Sequence, residues 1–271
     1  MHSGEHPAQA LEGDVRKAHG RARVAMAALV VTALIRVYNV GARWWQSGLI
    51  HEAQAGRTPE QGVLEQSDAL VQLGAVFTLL ILVVTGVVFL RWLHKTVALT
   101  RALGGDTLRF TPKDAVLGFI IPIWNISRPY QVVRDVHDHL APDAVPEPQV
   151  QVRADDAMGY RQVAMVAPPQ AVKVPHASIA AWWGFFWVGN IFANIAARQQ
   201  GQTLDSLLLG NTFNNISDVI DVVAATLGVL MVRVLDARLA ERFRRIRYNR
   251  PEDLQAAGIE IAPELSGARA A

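Results

Sequence analysis

The sequence predicts an all-α membrane protein, a polytopic bundle of four transmembrane helices with a short proline-containing segment that is re-entrant or interfacial. Three observations predict this class. Hydrophobic residues make up 51% of the chain and charged residues only 18%, below the about 25% that is usual in soluble domains. The apolar residues are gathered into runs long enough to cross a bilayer. The Lys and Arg residues are divided unevenly among the segments that separate these runs.

The composition also excludes several kinds of site. The chain contains no cysteine, which excludes disulfides, thiolate metal sites and a catalytic thiol. The formal net charge is only +2, so binding to nucleic acid through bulk charge is not expected. No phosphate-binding loop, dinucleotide fingerprint or hydrolase motif is present. In the histidine-containing run 135–139 only Asp135 and His139 share a helical face. We therefore predict neither a metal nor a cofactor.

The first predicted span is 24–44, which follows a polar cytoplasmic segment, 1–23. It contains one charge, Arg36, and ends at Arg43 and the tryptophans at 44 and 45. Aromatic residues in that position are typical of an anchor at the membrane interface.

Three further spans are predicted. The second, 69–92, contains 22 consecutive uncharged residues, and the third, 177–197, lies in a run of 24. The fourth, 211–235, is interrupted by Asp218 and Asp221 and is then uncharged through residue 232.

The segment 115–127 has only 13 uncharged residues and contains Pro122, which suits a re-entrant or interfacial element better than a crossing. If it crosses, the bundle has five spans and the C-terminus, with eight Lys and Arg from residue 233 onward, lies outside. If it does not cross, 22 Lys and Arg lie on the cytoplasmic side and three outside. The positive-inside tendency favours the second topology, with both termini in the cytoplasm of a bacterium and the spans in its inner membrane.

Surface segments complete the organisation. In the first half of the membrane domain, 24–140, an amphipathic helix at 129–140 is expected to lie on the cytoplasmic membrane face. A proline-rich cytoplasmic loop, 141–176, precedes the second half, 177–235. The remainder, 236–271, is expected to be a basic amphipathic helix and tail, either a membrane anchor or a helix that docks a protein. An apolar stripe begins at Leu235, the last residue of the fourth span, and continues through Leu239, Phe243 and Ile246.

Ionisable residues at membrane depth are candidate functional residues, because each costs about 2.5–3.5 kcal/mol near the bilayer centre. Arg36, Asp218 and Asp221 meet this criterion. In the four-span topology Arg36 and Asp221 lie at similar depth, which predicts a structural ion pair between the first and last helices. The alternative is a polar cavity that conducts ions or protons.

Asparagines extend the polar surface of the last two spans. Asn211, Asn214, Asp218 and Asp221 are spaced three, four and three residues apart and therefore share one helical face. On the preceding span Asn190 and Asn194 are four apart. These side chains either form hydrogen bonds between helices or line a water-filled vestibule or an oligomeric pore.

The re-entrant segment contains a second group of candidates. Two prolines seven residues apart interrupt regular helix and free backbone carbonyls. The group either forms a structural turn or acts as a gating or substrate-contacting loop. Its members are Pro122, Trp124, Asn125, Arg128, Pro129 and Tyr130.

Three stretches carry a resemblance to a known family. They are Phe-Leu-Arg-Trp-Leu-His-Lys at 89–95, Ala-Val-Leu-Gly-Phe-Ile-Ile-Pro-Ile-Trp-Asn-Ile-Ser-Arg-Pro-Tyr-Gln-Val-Val-Arg-Asp at 115–135, and the Trp182–Trp183 pair. Over roughly residues 69 to 247 the chain resembles the bacterial membrane-protein family of domain of unknown function 4328. Leu99 stands where the family pattern has an asparagine. The resemblance supports the membrane architecture and implies no activity.

The expected function is that of a non-catalytic membrane subunit or scaffold. The alternative is an oligomeric channel or a transporter of ions or small solutes that uses the polar face of the last span. An intramembrane enzyme with Asp218 and Asp221 as an acid/base pair lacks a nucleophile or metal ligands. The expected partners are the lipid bilayer and either further copies of the chain or another membrane protein.

Overall fold

The computed structural model describes residues 7–104, 107–141, 145, 175–199 and 203–249, and in these residues every regular element is an α-helix. This confirms the all-α prediction for the described part of the chain. The helices are α1 (Pro7–Gln54), α2 (Gln61–Ala102), α3 (Pro112–Ile120), α4 (Pro122–Asn125), α5 (Arg128–His139), α6 (His176–Arg198) and α7 (Leu204–Tyr248).

Three helices are long and apolar enough to cross a membrane: Leu11–Gln54 within α1, Gln61–Ala102 and His176–Arg198. They contain the predicted spans 24–44, 69–92 and 177–197. The predicted count of four spans is not confirmed, because α7, which contains 211–235, is not among the three. The helix α7 carries two carboxylates, Asp218 and Asp221, within its apolar stretch, where each opposes contact with hydrocarbon.

The chain divides into two compact units. We call Arg21–Trp92 together with Val174–Arg233 the span unit, since it contains the apolar runs of α1, α2 and α6. We call Met1–Gly20, Leu93–Lys173 and Val234–Ala271 the terminal unit. The helices α1, α2 and α7 each contribute residues to both units.

Small and hydroxyl side chains join α1 and α2 within the span unit. The amide of Asn39 donates to Thr78 Oγ1 at 2.8 Å, and the hydroxyls of Thr32 and Thr85 lie 3.0 Å apart. A Cβ atom at Gly74 would overlap the Asn39 side chain, so this glycine permits close helix contact. The outward face of α2 is apolar, and Leu79 and Val83 are about six-tenths exposed, at 64% and 59%.

In the terminal unit the predicted amphipathic helix is α5, but its apolar face is not on a membrane surface. Val132, Val133, Val136 and Leu140 are 0% exposed, so they form part of the protein core. The prediction for the C-terminal stripe is corrected in the same way. Leu235, Leu239, Phe243 and Ile246 are also buried, and they lie on α7, which continues without a break from the predicted fourth span to Tyr248. Core packing removes both stripes from lipid and solvent.

Local sequence rules set the boundaries of α3, α4 and α5. Thr111 and Asp114 form a capping box at the start of α3, which satisfies backbone donors there. Ile121 is extended, at φ −78° and ψ 118°, because a residue before proline disfavours the helical region. Pro122 and Pro129 occupy the first turns of α4 and α5, where a missing backbone N–H is tolerated.

The chain reverses direction across these short helices, since α3 packs against both α4 and α5. At about 1.5 Å per residue, the nine residues of α3 span roughly half of a hydrocarbon core about 30 Å thick. The five-span alternative is therefore wrong. Most of the predicted proline-rich loop (142–144 and 146–174) lies outside the described residues, as do the tail from residue 250 and residues 1–6.

Candidate functional site: a charge network between α1 and α7

Two arginines of α1 and two aspartates of α7 form a charge network in the span unit. Arg36 Nη1 lies 2.8 Å from Asp218 Oδ1, and Arg36 Nη2 lies 3.0 Å from Asp221 Oδ2. The guanidinium of Arg43 also donates to Asp218. The network thus contains two positive and two negative groups, and their formal charges cancel.

Burial makes this pairing energetically important. The side chain of Asp218 is 2% exposed, and those of Arg43 and Arg36 are 12% and 19% exposed. Removing one partner of a buried ion pair typically costs about 3–5 kcal/mol, because the other charge is left without compensation. Asp218, which binds two arginines, is the central member of the network.

The network includes a residue that the sequence analysis missed. The sequence predicts Arg36, Asp218 and Asp221 as candidates, and the structure brings them together. The sequence assigns Arg43 only to the interfacial end of the first span. The available signal was its spacing of seven residues from Arg36, which is two helical turns and places both side chains on one face.

Hydrogen bonds continue from the network toward the end of α1. Asn211 donates to Gln46 Oε1 at 3.0 Å, and Gln46 donates in turn to Asp68 of α2 at 2.8 Å. Gln54 donates to Asp205 at 2.7 Å. Successive contacts pair lower-numbered residues of α1 with higher-numbered residues of α7. The two helices are therefore antiparallel.

The asparagines of α6 behave differently. Asn190 donates to the carbonyl of Phe186 at 2.7 Å, and Asn194 donates to that of Asn190 at 2.8 Å. Both are bonds to their own helix, four residues back, so they do not join α6 to α7. Asn214 is half-buried and lies on α7 one turn before Asp218.

Close contact of α6 and α7 occurs instead at a glycine. Ser217 donates to the carbonyl of Gly189 at 2.9 Å. A Cβ atom at Gly189 would overlap Oδ1 of Asp221. The absence of a side chain at Gly189 therefore leaves the space in which Asp221 meets Arg36.

The re-entrant candidates belong to the terminal unit and form a separate group. The guanidinium carbon of Arg128 lies 3.6 Å from the ring centroid of Trp124, a cation–π contact. Pro129 is buried in the first turn of α5, and Tyr130 stacks beneath Arg134 at 5.5 Å. Pro122 starts α4 and Asn125 ends it.

Residues 55–237 match the family described as Domain of unknown function (DUF4328). The chain belongs to this family. The matched region begins after α1, so in this DUF4328 protein the two aspartates of the network lie within it and the two arginines precede it. Neither a curated protein nor a solved structure matches the chain.

Proposed function

We propose that this DUF4328 protein is a non-catalytic membrane subunit or scaffold of the bacterial inner membrane. The observation that carries the proposal is the mutual pairing of Arg36, Arg43, Asp218 and Asp221. Charged residues that serve transport or proton transfer lie along a substrate or ion path and can pair with one another there. Here all four charges bind one another, which holds α1 and α7 in a fixed register and suits a structural role.

In the proposed topology α7 crosses the membrane beside the three apolar helices, which gives four spans with both termini in the cytoplasm. Two features of α7 support this. Its polar face binds α1 at successive positions from Asp205 to Asp221, so its polar groups are satisfied by protein. On another face, Val219, Val223 and Leu230 are exposed, as expected of side chains that contact lipid.

The channel alternative requires the polar face of α7 to line a water-filled path. Three of the four predicted polar residues on that face, Asn211, Asp218 and Asp221, bind side chains of α1. The enzyme alternative meets the same difficulty, since both carboxylates accept from Arg36. The pairing therefore favours the structural role over both.

The decisive experiment compares flux in proteoliposomes. Purified protein is reconstituted, and proton and K⁺ flux are measured with entrapped dyes for wild type, Asp221→Asn and the matched control Asp205→Asn, an exposed acid on the same helix. The proposal predicts flux equal to that of protein-free liposomes in all three. Flux above that level that Asp221→Asn abolishes and Asp205→Asn retains would establish the channel instead.

A subunit or scaffold must also hold a partner. Under gentle detergent the full chain is expected to co-purify with another membrane protein in fixed ratio, and deletion of 142–172 or of 248–271 is expected to release it. Purification of the full chain alone would contradict the subunit role. A symmetric homo-oligomer without a second component would restrict the role to self-assembly.

A further inference from the structure

The tip of the α3–α4 turn presents an apolar surface. Leu117, Ile120, Ile123 and Ile126 are 40%, 61%, 80% and 61% exposed. The apolar residues of the neighbouring α5 are fully buried, so the exposure is specific to the tip. A contiguous exposed apolar surface of this kind marks a contact with a partner or a membrane.

The backbone of the tip satisfies three of its N–H donors internally although the helix is broken twice. The N–H of Ile121 donates to Leu117 at 3.0 Å and that of Asn125 to Ile121 at 2.8 Å. The N–H of Ser127 donates to Trp124 at 3.3 Å. Non-helical backbone is costly in hydrocarbon when its polar groups lack partners. Here the N–H groups of Ile121, Asn125 and Ser127 are already paired, which lowers the cost of moving the tip out of water.

Cationic and aromatic side chains lie behind the apolar tip. Arg128 stacks on Trp124, with its guanidinium carbon 3.6 Å from the ring centroid and 6.0 Å from that of Phe110. Arg109 lies over the same Phe110 ring at 5.8 Å. Aromatic rings and basic side chains with long apolar stems are typical of the boundary between headgroups and hydrocarbon.

The charges near the tip complement lipid phosphate. No acidic residue occurs between Asp114 and Asp135. The carboxylate of Asp114 itself is occupied by the capping box, accepting from the hydroxyl and the N–H of Thr111. The segment between Asp114 and Asp135 therefore contains Arg128 and Arg134 and no acid that would repel an anionic headgroup.

We propose that the α3–α4 tip inserts into one leaflet of the bilayer as a wedge, with Arg128 at the level of the lipid phosphates. Ile120 and Ile123 then contact acyl chains, while α5 returns the chain to the protein core. The inference rests on the proposed membrane location of the protein. For a protein in the membrane, the inference identifies a lipid leaflet as the partner of the tip.

Spin-label depth measurements test the wedge, and the absence of native cysteine makes single-cysteine variants straightforward. Nitroxide labels at Ile123→Cys, Lys113→Cys and Leu80→Cys are compared in vesicles of phosphatidylethanolamine and phosphatidylglycerol. Accessibility to oxygen and to a water-soluble nickel chelate is measured by power saturation. The oxygen-to-nickel ratio at Ile123 is expected to exceed that at the exposed Lys113 several-fold and to fall below that at Leu80 of α2.

Each outcome has a distinct meaning. A nickel-accessible label at Ile123 beside an oxygen-accessible label at Leu80 would overturn the wedge and leave the membrane location intact. Nickel access at Leu80 as well would overturn the membrane location. A label at Ile123 shielded from both reagents would show that protein, such as a second copy of the chain, covers the tip, and this too would overturn the wedge.

A second comparison assigns the role of Arg128. In the Ile123→Cys background, Arg128→Gln is expected to lower the oxygen-to-nickel ratio, because the phosphate contact that positions the tip is lost. Arg134→Gln, which removes a guanidinium that stacks on Tyr130, is the matched control and is expected to leave the ratio unchanged. Equal effects of the two variants would contradict the phosphate contact.

Discussion

Arginines bind inside the protein in both units, but a pair from each unit shows that their partners differ. In the span unit Arg36 and Arg43 bind carboxylates. In the terminal unit Arg238 Nη1 donates to the carbonyl of His137 at 2.6 Å. Arg242 donates through Nε to the carbonyl of Leu103 at 2.8 Å and through Nη1 to that of His139 at 3.0 Å.

The difference follows from what each location offers. His137, His139 and Leu103 lie at or just beyond the C-terminal ends of α5 and α2, where carbonyls lack intrahelical partners and carry the negative end of the helix dipole. One guanidinium has five donors and can bind two such ends. Burial lowers the pKa of Arg242 from its ordinary value, yet a guanidinium stays charged. In the middle of α1 and α7 no helix end is available, so a carboxylate supplies the negative charge.

The largest expected effect is that of Asp218→Asn. It leaves Arg43 without a carboxylate and removes one of two partners from Arg36, so we expect a loss of about 3–5 kcal/mol in the free energy of unfolding. Unfolding by SDS titration in mixed micelles measures it. The control Glu52→Gln alters an exposed acid of α1 and is expected to change stability by less than about 0.5 kcal/mol. Similar losses in both variants would show that the network is not a stabilising centre.

A smaller effect is expected for Arg242→Gln in the terminal unit. The substitution leaves buried carbonyls at the ends of α2 and α5 with fewer donors, at a cost of about 1–3 kcal/mol, but no unpaired charge remains. The same SDS titration applies. If Arg242→Gln destabilises the protein more than Asp218→Asn, the proposed distinction between the two kinds of arginine site is wrong.

Gly189→Ala tests the network sterically. The added Cβ would overlap Oδ1 of Asp221, so Asp221 must move relative to Arg36, and we expect a loss of about 1 kcal/mol, at the low end of overpacking effects. Gly184 lies on the same helix with no atom within 4 Å of an added Cβ, and Gly184→Ala is therefore the matched control. Because alanine is the better helix former, Gly184→Ala is expected to leave stability unchanged or raise it, and an equal loss at both positions would contradict the steric account.

The smallest expected effect is a pH dependence that arises in the terminal unit. The side-chain hydrogen bond from Arg244, aided by Arg245, lowers the pKa of Glu241 below 4.5. A carboxyl with a lowered folded pKa contributes stability above its unfolded pKa and loses it as pH falls through the folded value. The hydrogen bond from Thr111 lowers the pKa of Asp114 in the same sense.

Glu241→Gln is therefore expected to flatten the decline in stability below about pH 4.5 by a fraction of a kcal/mol, since solvent screens partly exposed pairs. Melting temperatures measured from pH 3 to 7 test this. If the melting temperature falls equally in Glu241→Gln and in wild type at acid pH, the ion pairs of Glu241 do not contribute to stability.

The apolar runs were sufficient to predict the span-forming parts of α1, α2 and α6, because bilayer thickness fixes the number of residues required. They could not predict that α2 extends to Ala102 or α7 to Tyr248. These extensions depend on packing in the terminal unit, where stripes such as Leu235 and Leu239 are buried. A stripe that faces lipid and one that faces a protein core have the same spacing.

The candidate site was predictable in its residue types and less so in its contacts. The predicted depths in the membrane place Arg36 near Asp221, but Asp218 is the residue that binds two arginines. The sequence could not predict that Asn190 donates to its own helix. The four-residue spacing of Asn190 and Asn194 is equally compatible with hydrogen bonds to a neighbouring helix. The group that an asparagine binds depends on the direction of its side chain and on which helix lies beside it. The spacing of residues in the sequence specifies neither.

A double-mutant cycle on Arg43 and Asp218 tests the central claim, that the charges of the span unit serve to neutralise one another. Asp218→Asn alone leaves a surplus positive charge, whereas Arg43→Gln combined with Asp218→Asn is neutral and retains the Arg36–Asp221 pair at 3.0 Å. SDS titration is expected to show that the double variant is more stable than Asp218→Asn, with a coupling energy of at least about 1 kcal/mol. Strictly additive losses would contradict the claim and return these residues to the channel hypothesis.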